Sequence, residues 1–124
     1  MNVLLINGSP HEKGCTYTAL SLVAGELNAA GITTEILNVG TKPVGGCIGC
    51  GGCAKGNGCV FGGVVNEAIE KAKTADGFVF GSPVHYASAS GNMTSFMDRL
   101  AYAGGRYLAY KPAAICCSAR RAGT

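Results

Sequence analysis

Apolar positions follow two rhythms along this chain. Val3 to Ile6 is an unbroken apolar run between Asn2 and Asn7, the pattern of a strand buried on both faces. After a polar loop from Gly8 to Gly14, the residues Tyr17, Leu20, Val23, Ala24 and Leu27 recur at helical spacing. They predict a helix over 15–30, stopped by Gly31. Thr33 to Val39 is rich in β-branched and aliphatic residues and predicts a second strand. Strand, helix and strand in this order form a βαβ unit, and so a parallel sheet. Val65, Ala68, Ile69 and Ala72 predict a second helix over 64–74. Glu67 and Glu70 come early in it, Lys71 and Lys73 late, which suits the helix dipole. Gly77 to Gly81 frames a third strand around Phe78-Val79-Phe80. Met93, Phe96, Met97 and Leu100 mark a third helix over 90–103, a stripe suited to the core or to a subunit interface. Ala113 to Ser118 is a fourth strand, opened by Pro112. The expected class is α/β, a doubly wound parallel sheet forming one domain over 1–124.

Composition narrows the function. The chain has 124 residues, 48% hydrophobic and 14% charged, which suits one folded domain rather than disorder. A net charge of +3, spread thinly until Arg120-Arg121, gives no basic stripe for nucleic acid. No apolar run approaches the roughly 20 residues of a membrane helix. The apolar start lacks a basic n-region and is cut short by Gly8-Ser9-Pro10-His11, so it is not read as a signal peptide. A cytoplasmic protein is expected, binding neither nucleic acid nor membrane.

In an open parallel sheet, ligands bind at the carboxyl ends of the strands. Three loops lie there: 8–14, 82–90 and 118–124. The first opens a helix N-terminus, whose free N–H groups and dipole attract an anion, and Ser9, Thr16 and Thr18 add hydroxyls. It has neither the Gly-Lys-Ser/Thr ending of a triphosphate loop nor a G-x-G-x-x-G fingerprint, so one terminal phosphate fits best.

The 20 glycines and seven cysteines concentrate in the long loop Gly40 to Gly63, which has no periodic pattern. Cys47-x2-Cys50-x2-Cys53-x5-Cys59 can wrap four thiolates around one metal core, and the interleaved glycines permit the left-handed turns this needs. An iron–sulfur cluster, a four-thiolate zinc site and free thiols all remain open on these residues. Cys116 and Cys117, adjacent in a strand, read as small core residues, and Cys15 as a packing or hydrogen-bonding residue. Asp98-Arg99 reads as an ion-paired, solvated helix edge.

Ile6-Asn7-Gly8-Ser9-Pro10, Gly14, Thr16, Ala75-Asp76-Gly77, Gly81-Ser82-Pro83-Val84-His85-Tyr86 and Asp98-Arg99 together resemble the NADPH-dependent FMN reductase branch of the flavodoxin-like superfamily. The cysteine motif is similar to that of archaeal and bacterial iron–sulfur flavoproteins. The resemblance implies a flavodoxin-like sheet of order 2-1-3-4, here lacking the usual fifth strand and final helix, and a homo-oligomer. It implies FMN, with Ser9, Thr16 and Thr18 on the phosphate and Pro83, Val84, His85 and Tyr86 beside the ring. Ser118, Arg121 and Gly123 match the start of the third flavin-facing loop. Cys47, Cys50, Cys53 and Cys59 match the ligands of a [4Fe-4S] cluster. Three positions depart from the relatives' pattern: Cys15 replaces asparagine or serine, His11 replaces arginine, and Gly62-Gly63 replaces an acidic pair.

The implied activity is electron transfer from NAD(P)H, a transient co-substrate, through FMN to a flavin or small acceptor. No side chain is needed as a catalytic acid or base, because the flavin carries the chemistry. Two alternatives stand beside it: an iron–sulfur flavoprotein carrying electrons between a ferredoxin-type partner, the cluster and FMN, and a non-enzymatic thiol or metal module or inactive fragment. With one helix on the 15–30 side, apolar residues of the third and fourth strands are expected to lie uncovered on that face.

Overall fold

The run Val3 to Asn7 is buried throughout, and it places β1 (Asn2–Asn7) at the centre of the sheet. The computed structural model describes residues 1–121. β1 pairs in parallel with β2 (Thr33–Asn38) and with β3 (Gly77–His85), so that Leu5 stands level with Ile36 and Val79. A two-residue strand, β4 (Ser88–Ala89), folds back antiparallel on the end of β3. β5 (Ala113–Ser118) pairs in parallel with the body of β3. The parallel strands therefore run β2-β1-β3-β5, the expected doubly wound order with the short hairpin strand added.

Helices cover both faces. α1 (Cys15–Ala29) sets Leu20 and Ala24 on Val3, Leu5 and Val79. On the other face α2 (Val64–Thr74) and α3 (Gly91–Gly104) bury Val65, Ile69, Met93, Phe96 and Leu100 against Leu4, Ile6 and Phe78. Alternate residues of β1 thus feed two separate cores. Leu5, Ile6, Leu20 and Phe96 are completely buried, each contributing about 1.5–3 kcal/mol of hydrophobic stabilisation. Among the described residues, no helix is long and apolar enough to cross a membrane.

Four expectations are corrected. The third strand does not stop at Gly81 but runs on to His85, because pairing with β5 continues to Pro83 and pairing with β4 begins at Val84. Apolar surface does lie open near β5, but it is not confined to the expected α1 face, where Ala114 is exposed while Val79 of β3 beside it is covered. Ile115 is 85% exposed and stands beside Phe80, on the α2/α3 side, while α1 reaches across to cover Cys116. Cys117 is exposed rather than part of the core. Arg99 is buried, whereas Met97 of the apolar stripe is 42% exposed, so the buried face of α3 runs through Met93, Phe96, Arg99 and Leu100 and leaves Met97 at its margin.

Candidate functional site

The carboxyl ends of β1, β3 and β5 meet at one edge, and buried polar side chains tie them together. Asn7, completely buried, donates to Asn38 Oδ1 at 2.8 Å and to the Glu12 carbonyl at 3.3 Å, while its Oδ1 accepts from the Ser9 N–H at 3.1 Å. Ser9 Oγ in turn accepts from the His11 N–H at 3.1 Å. These bonds hold the first loop in a tight curl at the start of α1. Gly14 precedes that helix and no side chain caps it. The leading N–H groups of α1 are thus left for an external acceptor, the arrangement that binds anions.

Thr16, at the start of α1, and Ser118, at the end of β5, bring their hydroxyl oxygens within 2.7 Å. A residue expected on the phosphate loop, Thr16, thus touches one expected at the start of the third flavin-facing loop, Ser118, from the other end of the chain. Thr18 is exposed and donates to the Gly14 carbonyl at 3.3 Å. Arg121 is exposed beyond β5, and Gly123 lies outside the described residues.

The hairpin joining β3 to β4 carries the expected ring-side residues. Pro83 and Val84 are half-buried, and His85 and Tyr86 project into solvent. Tyr86 and Ala87 form its two-residue turn with φ of 49° and 61°. Positive φ at both central positions is the type I′ turn that matches strand twist, a conformation usually given to Asn-Gly. In residues with a Cβ it costs about 1–3 kcal/mol per residue.

Ser90 and Asn92 join this edge although the resemblance did not single them out. Ser90 Oγ donates to the Gly8 carbonyl at 2.8 Å and accepts from the Met93 N–H at 3.2 Å as the N-cap of α3. Its own N–H donates to Ser82 Oγ at 2.9 Å. A serine three residues before the apolar stripe is a helix-start signal, so Ser90 was legible as a cap, though not as a clasp on Gly8. Asn92 donates to the carbonyls of Gly40 (2.9 Å) and Lys42 (3.1 Å) and accepts from the Val44 N–H at 3.1 Å, fastening the start of the cysteine loop to α3. Gly40 has no alternative: a Cβ there would stand 2.4 Å from the carbonyl oxygens of Gly8 and Ser9. A cleft of about 340 Å³ opens between Pro10, Val44, His85, Ser90 and Asn92.

The four cysteines of the motif line a second cavity, of about 140 Å³, together with Ile48, Phe61 and Tyr102. Gly49, Gly51, Gly56 and Gly58 take positive φ, as the wrapping requires. The Asn66 amide grips Cys59 on both sides, accepting from its N–H at 2.8 Å and donating to its carbonyl at 3.0 Å. Arg99 closes the cavity, its Nε 3.2 Å from Cys59 Sγ. The donor set, four thiols around one apolar hollow, has the chemistry of a thiolate-bound cluster or metal. Among the described residues, however, no three potential ligands are gathered tightly enough to hold a metal ion, so the hollow is assembled while the ligand geometry is not drawn in. The remaining cysteines stand apart from it: Cys15 is exposed at the start of α1, and burial, then the neighbouring Cys117, pushes the Cys116 thiol up.

The family model for NADPH-dependent FMN reductase matches residues 1–124. The chain belongs to this family. The chain is 34% identical over 99 residues to an iron-sulfur flavoprotein of Methanocaldococcus jannaschii, covering 80% of this chain and 51% of that one. It is 31% identical over 99 residues to an iron-sulfur flavoprotein of Archaeoglobus fulgidus, with coverages of 80% and 48%. The chain therefore spans about half the length of these relatives. The fold is also that of an NAD(P)H:quinone oxidoreductase from Methanothermobacter marburgensis, at a TM-score of 0.72 and 21% identity over 96% of this chain and 65% of that one. The architecture is flavodoxin-like, as expected.

Proposed function

We propose that this chain binds FMN at the carboxyl edge of the sheet and serves as an oxidoreductase taking electrons from NAD(P)H. The observation that carries the reading is the meeting of Thr16 with Ser118 beside the uncapped start of α1. Their hydroxyls, Ser9 and the free N–H groups of α1 would hold the flavin's phosphate. The β3–β4 hairpin, from Pro83 to Tyr86, would lie along the ring, with Arg121 on its other flank. Bound FMN supplies hydride and single-electron chemistry, so the protein's work is to anchor, orient and shield it. No side chain at this edge is required as an acid or base.

A second reading is favoured by the cysteine cavity and by the names of the relatives above. In it, Cys47, Cys50, Cys53 and Cys59 hold a [4Fe-4S] cluster, and electrons pass between a ferredoxin-type partner and FMN. A homo-oligomer is the expected assembly in either case. One experiment separates the readings: the absorption spectrum and iron and sulfide content of protein purified without oxygen. A flavin spectrum alone supports the first. A flavin spectrum with a broad shoulder that bleaches on reduction, together with iron and sulfide, supports the second. A colourless protein that takes up no added FMN removes both and leaves a thiol module.

A further inference from the structure

Arg99 is an unusual residue to find buried on α3. Only 7% of it is exposed, and among the described residues no carboxylate pairs with it. A buried guanidinium is costly unless its N–H groups are satisfied, and here they are spent on one loop. Nε points to Cys59 Sγ at 3.2 Å, one terminal nitrogen donates to the Gly62 carbonyl at 2.9 Å, and the other reaches the Gly45 carbonyl at 3.4 Å. The guanidinium also lies 5.6 Å from the centre of the Phe61 ring, which forms part of the cavity wall. One side chain therefore ties both ends of the cysteine loop to α3 and places a fixed positive charge on a thiol sulfur.

We propose that Arg99 is the positioning residue of the cysteine site. It holds Cys59 in place for a metal or cluster and lends its charge to the sulfur that would ligate it. The electrostatic half of this rests on the iron–sulfur reading above; the positioning half does not. Hydrogen bonds and positive charge at ligand sulfurs favour the more negative, reduced state of a cluster. Residues that orient ligands without binding the metal typically control affinity by about 10–100-fold. Lysine at this position would keep the charge but not the planar fork that reaches two carbonyls and a sulfur at once.

The test compares the full chain with R99Q and R99K in two measurements. The first is titration of the reduced, metal-free proteins with Co2+, followed by thiolate-to-cobalt absorption. The second is the reduction potential of anaerobically prepared protein that contains iron and sulfide. R99Q is expected to bind Co2+ about 10–100-fold more weakly, and its potential to fall. R99K is expected to weaken Co2+ binding while holding the potential near that of the parent. A mere packing role would weaken binding in both variants and leave the potential unmoved, which overturns the electrostatic half. If R99Q does not fold, as judged by far-UV circular dichroism, R99K decides, because it retains a buried cation. A parent protein that binds Co2+ but never holds iron or sulfide would remove the iron–sulfur reading alone, and the cobalt series would still judge Arg99. Unchanged Co2+ affinity in R99Q, or a parent that binds no Co2+, overturns the proposal.

Discussion

Thr16 and Ser118 lie 102 positions apart in sequence, yet their hydroxyl oxygens are 2.7 Å apart where α1 begins and β5 ends. One hydroxyl spends its single O–H on the other, so the pair keeps one O–H free to donate to a further acceptor. If that acceptor is the flavin phosphate, the double substitution Ser9→Ala and Thr16→Val removes two charge-assisted hydrogen bonds. At about 1.5–3 kcal/mol each, even partial loss weakens FMN binding by at least tenfold. Quenching of flavin fluorescence on titration measures it, and an unchanged dissociation constant would place the phosphate elsewhere.

Ser90 supports both the cleft and a helix end. Ser90→Ala leaves the Gly8 carbonyl and the Met93 N–H without their partner. The expected loss is about 1–3 kcal/mol of folding stability, read as a lower urea midpoint with an unchanged slope. A midpoint equal to that of the parent would mean that water replaces the hydroxyl at no cost.

The hairpin turn at Tyr86-Ala87 offers the opposite sign. Ala87 has φ of 61°, a conformation that glycine adopts without steric penalty. Ala87→Gly should stabilise the fold by up to about 1 kcal/mol, the relief of strain exceeding the added freedom of the unfolded chain. Thermal melting checks this, and a lower Tm would show that the turn is not strained.

Lys71 sets an alkaline limit. Its hydrogen bond to Glu35, at 2.5 Å, holds its pKa above the usual 10.5, helped by the charges of Glu35 and Glu67 and opposed by burial. A raised pKa means the folded state holds this proton more tightly. The associated stability is complete below 10.5 and is lost as pH rises through the folded-state value. The urea midpoint should therefore drop more steeply above that pH in the parent than in Lys71→Met. Parallel pH profiles for the two would show that the pair contributes nothing.

Cys59→Ala addresses the metal side separately. Protein carrying this change should lose iron and sulfide, if the parent holds them, while FMN content stays the same. Loss of FMN together with iron would mean that the cysteine loop is part of the flavin site.

Most of the architecture could be read from periodicity, because apolar spacing in β1, α1, α2 and β3 is enforced by burial on known faces. In α3 and β5 the difference has one cause: an apolar residue need not be buried, nor a charged one exposed. Met97 fits the stripe of α3 but lies toward open surface, while Arg99, three residues after the buried Phe96, turns inward because a loop supplies its acceptors. That loop comes from 45–62, and no local pattern announces so distant a partner. Cys117 looked like core because strands are usually covered, yet β5 is exposed along much of its length. The β3–β4 hairpin escaped notice because its turn is Tyr-Ala, without the glycine or asparagine that normally marks one. At the site, position in the sequence marks Ser9, Thr16 and Ser118 as loop-end hydroxyls but not the Thr16–Ser118 contact, and Asn7 and Asn92 act largely through backbone groups that a sequence does not display.

One helix meets both candidate sites. Ser90, the cap of α3, clasps the first loop beside the cleft, and Arg99, nine residues further on, grips Cys59. At about 1.5 Å of rise per residue they are roughly 14 Å apart along the axis. With Asn92 fastening the loop's start to the same rod, axial travel of α3 displaces the Gly8 clasp and the cysteine hollow by the same amount and in the same direction. The spacing between the cleft and the cysteine cavity is thus gauged by a single helix.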